Sequence, residues 1–370
     1  MNGTYRTWYI AAIVFLLAYI LVTMQAHHAY AGWLLMLFFV SLALAFRGNE
    51  ILKGYSYTIM IFAAVSLSMY YPQYFIQIGS FKFSTLIVPL LQLIMFGMGA
   101  ALSWKDFEGV LHMPKGVLLG IVCQYSIMPF VGWGLTKLFS FPAEVAAGII
   151  LVGSCPSGLA SNVMSYLARA NLALSVTLTA IATLMAPIMT PFYMNLLAGQ
   201  YVEVDFWAMV WDITKIIIIP VGAGLIFNHF LHGRFKALDK VMPLVSMISI
   251  ALIIVVITSA GRDGLLTVGP LLILATFIHN TSGYVLGYWS GRLFRMAEKD
   301  CRTIAIEVGL QNGGLASGLA LAMGKLATVG LAPAVFGPTM NITGSSLALW
   351  WRSRPPADEP SKTTVAPQAL

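Results

Sequence analysis

Few residues in this 370-residue chain can do chemistry, and most of them fall in two short stretches. The first is Ser154-Cys155-Pro156-Ser157-Gly158-Leu159-Ala160-Ser161-Asn162. The second is Glu307-Val308-Gly309-Leu310-Gln311-Asn312-Gly313-Gly314-Leu315-Ala316-Ser317-Gly318. Each puts helix breakers and side-chain amides inside an apolar run, and Gly-Leu-Ala-Ser recurs at 158–161 and 314–317. Glu307 is the sharpest signal. A carboxylate at mid-membrane costs at least ~2.5 kcal/mol on insertion scales and needs a partner. No basic residue lies within a helical turn of it. The neutral oxygen donors Gln311 and Asn312 stand beside it, with Ser161, Asn162, Ser175, Thr179 and Gln124 elsewhere. Hard oxygen ligands around one carboxylate suit Na⁺ better than a transition metal. A proton carried on Glu307 remains the alternative.

The elements that must position these residues are membrane helices. Hydrophobic residues make up 59% and charged residues 9% of the chain. Mean hydropathy is +0.83, whereas a soluble domain carries roughly 25% charged residues. The apolar runs are long and continuous, which excludes a β-barrel alternating over about ten residues. Twelve runs occur, near 8–24, 33–47, 55–72, 84–104, 116–138, 143–169, 172–199, 207–231, 242–261, 265–289, 302–324 and 329–351. The fold class expected is therefore an all-α polytopic membrane protein.

Placing the N-terminus inside and alternating puts sixteen Lys and Arg residues on the inner side and five on the outer. That is a clear positive-inside bias, and it predicts both termini to be cytoplasmic. The net charge of +7 is spread over short loops without a basic block, so it speaks for a lipid bilayer and not for nucleic acid. The run 8–24 is long for a signal peptide and reads as a retained helix. Residues 354–370, rich in Pro, Thr and Ala, read as a disordered cytoplasmic tail.

The two interrupted runs are the sixth and the eleventh. They stand five places apart in order, an odd offset, so the two halves are expected to insert in opposite orientations. Unwinding a helix in hydrocarbon frees backbone groups that cost several kcal/mol each. The break is tolerable where it lines a cavity or crosses another break. Half-helix N-termini there offer N–H groups to an anion, and freed carbonyls can hold a cation. Close packing of small residues accounts for either stretch alone. The matched pair points to a transporter binding site. The organisation expected is a two-helix extension over 1–48, inverted repeats over 49–200 and 201–353, and the tail.

At these residues the sequence resembles the bile acid:sodium symporter family, in particular its bacterial ten-helix members. The match runs from about Lys53 to Trp351. It rests on Cys155-Pro156, on 160–169, on 171–176, on Glu307-Val308-Gly309-Leu310-Gln311-Asn312 and on Asn341-Ile342-Thr343-Gly344-Ser345. The resemblance implies two coupling Na⁺ ions. Ser161, Asn162, Ser175, Thr179 and Glu307 would hold the first. Gln124, Glu307, Gln311 and the carbonyls of Val308 and Leu310 would hold the second. It further implies an organic anion, bile-acid-like or a small carboxylate such as pantoate, bound near Leu159, Ala160, Asn312, Gly313 and Asn341. A core domain with the crossed breaks would move against a panel of the third, fourth, eighth and ninth spans in a multi-pass bacterial inner-membrane protein. Leu159 and Met340 stand where the family often has Thr and His, and the first two spans lie outside its ten-helix pattern. A proton-coupled or sodium-independent carrier or exporter and a non-transporting sensor of the same fold stay open.

Other polar residues read as structural. Asp212 and Lys215 form an i,i+3 interfacial pair. His279 and Asn280 make packing hydrogen bonds. The glycosylation patterns at Asn2, Asn280 and Asn341 are chance matches. The adjacent His27 and His28 make a weak metal site. Cys123, Cys155 and Cys301 are buried thiols. Tyr70, Tyr71, Tyr74 and Phe75 form an interface belt. No P-loop, dinucleotide fingerprint or nucleophile–base constellation is present, so no enzyme is expected.

Overall fold

The computed structural model describes residues 3–25, 28–49, 51–231 and 236–356. Asn2, His27, Arg234 and the tail beyond residue 356 lie outside the described residues. Helices dominate throughout. In chain order they are α1 Gly3–Met24, α2 His28–Phe46, α3 Ser56–Tyr70, α4 Gln73–Ile76, α5 Ile87–Ala101, α6 Trp104–His112, α7 Pro114–Leu138, α8 Ala143–Ser154, α9 Leu159–Leu167, α10 Leu172–Tyr193, α11 Phe206–Ile213, α12 Ile219–Leu231, α13 Lys236–Ala260, α14 Arg262–Leu293, α15 Glu298–Gly309, α16 Gly313–Ala322 and α17 Leu331–Arg352. A two-stranded hairpin pairs Gln77 with Lys82 and Ile78 with Phe81.

Each of the twelve apolar runs coincides with a helix or a helix pair. Among the described residues seven helices are by themselves long and apolar enough to cross a membrane, and α8–α9, bent by 58°, makes an eighth if counted as one span. The other four runs fall short for physical reasons. Only 17 residues of the α2 run qualify as apolar helix. Helix α3 has 15 residues, α15 and α16 are interrupted, and α17 carries Thr339, Asn341, Thr343, Ser345 and Ser346. The chain is an all-α polytopic membrane protein. Two features were not read from hydropathy: the hairpin at 77–82 and the amphipathic α6. A reciprocal capping box between Ser103 and Asp106 starts α6, and Thr177 Oγ1 pins it by donating to the Asp106 carbonyl at 2.9 Å.

Glycines set where helices touch. A Cβ on Gly99 of α5 would stand 2.0 Å from the Val221 carbonyl oxygen of α12, and one on Gly224 would stand 2.2 Å from that of Phe96. The two backbones therefore lie in direct contact, as small residues permit in membranes. Helix α13 joins this group where Gly97 of α5 faces the Met242 side chain, and α3 is tied to α13 by the Ser68–Thr258 hydroxyl contact of 2.7 Å and by the Tyr57 hydroxyl donating to Met247 O at 3.0 Å. A second group forms around α14, whose Gly283, Gly287 and Gly291 recur every four residues and lie against α15. Helices α1 and α2 pack on each other, and the pair seats on α3. There Tyr19 and Tyr70 share a hydroxyl contact of 2.9 Å.

Candidate ion and substrate site

Two broken helices build the site. Helix α8 stops at Ser154 because Pro156 cannot donate an i→i−4 bond, and the chain restarts as α9 behind Gly158. Helix α15 stops at Gly309, and Asn312 caps α16 by accepting Leu315 N–H on Oδ1 at 3.0 Å. The repeated Gly-Leu-Ala-Ser thus opens each second half-helix. The breaks touch: the Asn312 N–H donates to the Pro156 carbonyl at 2.8 Å. Asn280 of α14 supports the crossing, donating to the freed Gly309 carbonyl at 2.8 Å and accepting from Thr343 of α17. Its neighbour His279 bonds the Met128 carbonyl at 2.9 Å. Both are packing hydrogen bonds, as expected.

Glu307 lies beside the crossing and is 2% exposed. Ser175 Oγ donates to Oε1 at 2.5 Å. Ser157 Oγ at 2.5 Å and Thr179 Oγ1 at 2.9 Å donate to Oε2. Ser161 Oγ lies 3.2 Å from Thr179 Oγ1, and Asn162 Oδ1 is 2.9 Å from Ser175 Oγ. The five residues expected for a first ion therefore gather from α9, α10 and α15. Among the described residues Glu307 has no ion-pair partner.

Gln124 and Gln311 form an adjoining cluster. Gln124 Nε2 donates to the Cys155 carbonyl and to Gln311 Oε1, both at 2.9 Å. Gln311 Nε2 donates to the Val308 carbonyl at 2.6 Å. The Gln124 Oε1 oxygen is buried without a partner, which leaves an acceptor for a cation. Val308 and Leu310 are buried in the same crossing. No hydrogen bond links this cluster to the Glu307 carboxylate among the described residues.

Leu159, Ala160, Asn312, Gly313 and Asn341 all line one cavity of about 290 Å³. Its opposite wall is apolar, with Met95 and Met98 of α5 and Met247, Ile250 and Ile254 of α13. Met340 lines it too. Asn312 Nδ2 is a buried donor without a partner at its edge. The sequence reading missed Ser157. Its signal was its place inside the first break, between Pro156 and Gly158. Asp212 and Lys215 pair at 3.4 Å, partly exposed, and the three cysteines are free and buried.

Residues 88–267 match the model of the sodium bile acid symporter family. The sequence is 39% identical over 297 residues to the "uncharacterized sodium-dependent transporter YocS" of Bacillus subtilis, covering 80% of this chain and 90% of that protein. The chain belongs to the sodium bile acid symporter family. Two further members are also similar. The "probable sodium/metabolite cotransporter BASS1, chloroplastic" of Arabidopsis thaliana is 37% identical over 72% of this chain and 66% of its own length. The "ileal sodium/bile acid cotransporter" of Cricetulus griseus is 33% identical over 66% of this chain and 71% of its own. As a member of the symporter family, the chain is a transporter and not an enzyme.

Proposed function

We propose that this symporter carries an organic anion across the membrane with two Na⁺ ions by alternating access. Sodium-coupled transport follows from family membership. The observation that carries the finer reading is the crossing itself. A buried carboxylate without an ion-pair partner sits among neutral oxygens, directly behind half-helix starts that line a cavity. In hydrocarbon such a carboxylate needs a counter-charge, and hard oxygen donors favour Na⁺. The first ion would take Ser161, Asn162, Ser175, Thr179 and Glu307. The second would take Gln124, Gln311, Glu307 and the carbonyls of Val308 and Leu310, with Gln124 Oε1 already unpartnered.

The cargo would place its anionic group at the starts of α9 and α16, where the helix dipoles favour negative charge. Its body would lie against the methionine and isoleucine wall. An amphipathic bile-acid-like anion suits that wall, and a small carboxylate such as pantoate suits the polar end. The close packing of α3, α5, α12 and α13 supports their moving as one panel against the helices of the crossing. The basic bias of the inner loops supports cytoplasmic termini in a bacterial inner membrane.

Uptake of labelled taurocholate and pantoate into proteoliposomes, under inward Na⁺ or choline gradients, tests this. Na⁺-dependent accumulation of one of them is expected. Equal uptake in choline would overturn the reading.

A further inference from the structure

We propose that Ser157 is an additional ligand of the coupling ion, supplied by the break between α8 and α9. The inference rests on the sodium-coupled reading above and extends its ligand set. Ser157 is only 1% exposed and belongs to no helix. Its hydroxyl reaches Glu307 Oε2 at 2.5 Å and stands 3.4 Å from Thr179 Oγ1.

The spacing of the neighbouring oxygens is informative. Hydroxyl hydrogen bonds cluster near 2.7–2.8 Å. Around Thr179 Oγ1, however, Ser157 Oγ and Asn162 Oδ1 lie at 3.4 Å and Ser161 Oγ at 3.2 Å. These pairs are loose as hydrogen bonds. Na⁺ is close to Ca²⁺ in size, and Ca²⁺ holds oxygens at about 2.4 Å, which spaces adjacent corners of an octahedron by about 3.4 Å. Those three pairs around Thr179 thus have the spacing of a cation shell's edges, whereas the contacts to Glu307 at 2.5–2.9 Å and the Ser175–Asn162 pair at 2.9 Å are closed hydrogen bonds that would lengthen as the ion enters. A serine hydroxyl keeps two lone pairs while it donates one proton, so Ser157 can hold Glu307 and face the ion together.

This placement also gives a route for coupling. Ser157 is next to Gly158, which lines the cavity, and to Pro156, whose carbonyl receives the Asn312 N–H. An ion held by the break itself fixes the start of α9 that faces the cargo.

The test needs no cargo. The purified full-length chain is titrated with NaCl against choline chloride at constant ionic strength, and its thermal unfolding is followed. In Ser157→Ala the Na⁺ concentration for half-maximal stabilisation should rise at least about tenfold, the scale of losing one group that orders a metal site. The unfolding temperature in choline should fall modestly, because Glu307 Oε2 loses one donor, so the Na⁺ midpoint is read against each variant's own choline baseline. Ser157→Cys keeps a donor of similar size but removes the hard oxygen, and should shift the midpoint alike. Ser157→Thr should restore it. A Na⁺ midpoint within twofold of the parent in both the Ala and Cys variants would overturn the assignment and leave sodium coupling standing. No response of the parent to Na⁺ over choline would remove the sodium-coupled reading, and this inference with it.

Discussion

Replacing Glu307 with Gln removes one charge and almost no volume. The three hydroxyls that now donate to the carboxylate come from Ser157, Ser175 and Thr179. A hydroxyl can donate or accept, so each can re-pair with the new amide and the fold should persist. The ion should not. A unit charge about 2.4 Å from a carboxylate oxygen gains about 7 kcal/mol at an effective dielectric of about 20. The cost of keeping the carboxylate dry offsets much of this, since no other cation pairs with it among the described residues. If two thirds is offset, about 2–3 kcal/mol remains, which is about a hundredfold in Na⁺ affinity. Two measurements on the same preparation check it: Na⁺-dependent thermal stabilisation, and Na⁺-driven uptake into proteoliposomes. Glu307→Gln should unfold near the parent temperature in choline, respond to Na⁺ only at about hundredfold higher concentration, and transport almost nothing. Glu307→Ala should likewise lose transport while still being expressed. A Na⁺ midpoint within threefold of the parent in Glu307→Gln would refute the placement of the ion at this carboxylate.

Three structural predictions follow from the same contacts. Asn280→Ala leaves the Gly309 carbonyl without its side-chain donor, while the Thr343 hydroxyl keeps the Thr339 carbonyl at 2.9 Å, and should destabilise the protein by about 1–3 kcal/mol, visible as a lower unfolding temperature in detergent. Gly99→Ala should disrupt the α5–α12 contact, where a Cβ would stand 2.0 Å from a backbone oxygen, whereas Gly134→Ala meets nothing within 4 Å and should be neutral or slightly stabilising. Comparing their yields of folded protein by size-exclusion chromatography checks both. Arg302→Lys should also destabilise, by about 3 kcal/mol. The guanidinium bonds Glu298 at 2.8 Å and the carbonyls of Ala168, Trp351 and Arg354 at 3.2, 3.3 and 2.8 Å, a fork that a single ammonium cannot reproduce. An unchanged unfolding temperature would contradict that account.

Much of the site was legible because hydrocarbon penalises polarity. A carboxylate, amides and helix breakers inside apolar runs are costly unless they serve a site, so Glu307, Gln311, Asn312, Ser161 and Asn162 stood out individually. Gln124, Ser175 and Thr179 were legible as neutral oxygen donors in apolar runs, but only the family resemblance grouped them into ion sites with Glu307, because single polar residues in a helix are as often packing groups. Ser157 escaped because a serine after a proline reads as part of a turn. Only the approach of α15 to the first break gives its hydroxyl the Glu307 carboxylate as a partner. Helix α6 escaped because its nine residues alternate faces and carry charge, so hydropathy passes over them.

The one-dimensional pattern alone determined the solvent of this protein, its helical class and the two places where its helices must break. Those follow from the price of exposing backbone and charge to lipid, which each segment meets on its own. Tertiary structure decided which polar groups share a centre. That depends on the Asn312 N–H reaching the Pro156 carbonyl and on glycines letting helices approach to backbone contact, distances that arise between segments far apart in the chain. The crossing turns two isolated interruptions into one ring of oxygens around Glu307, with a cavity on its other side.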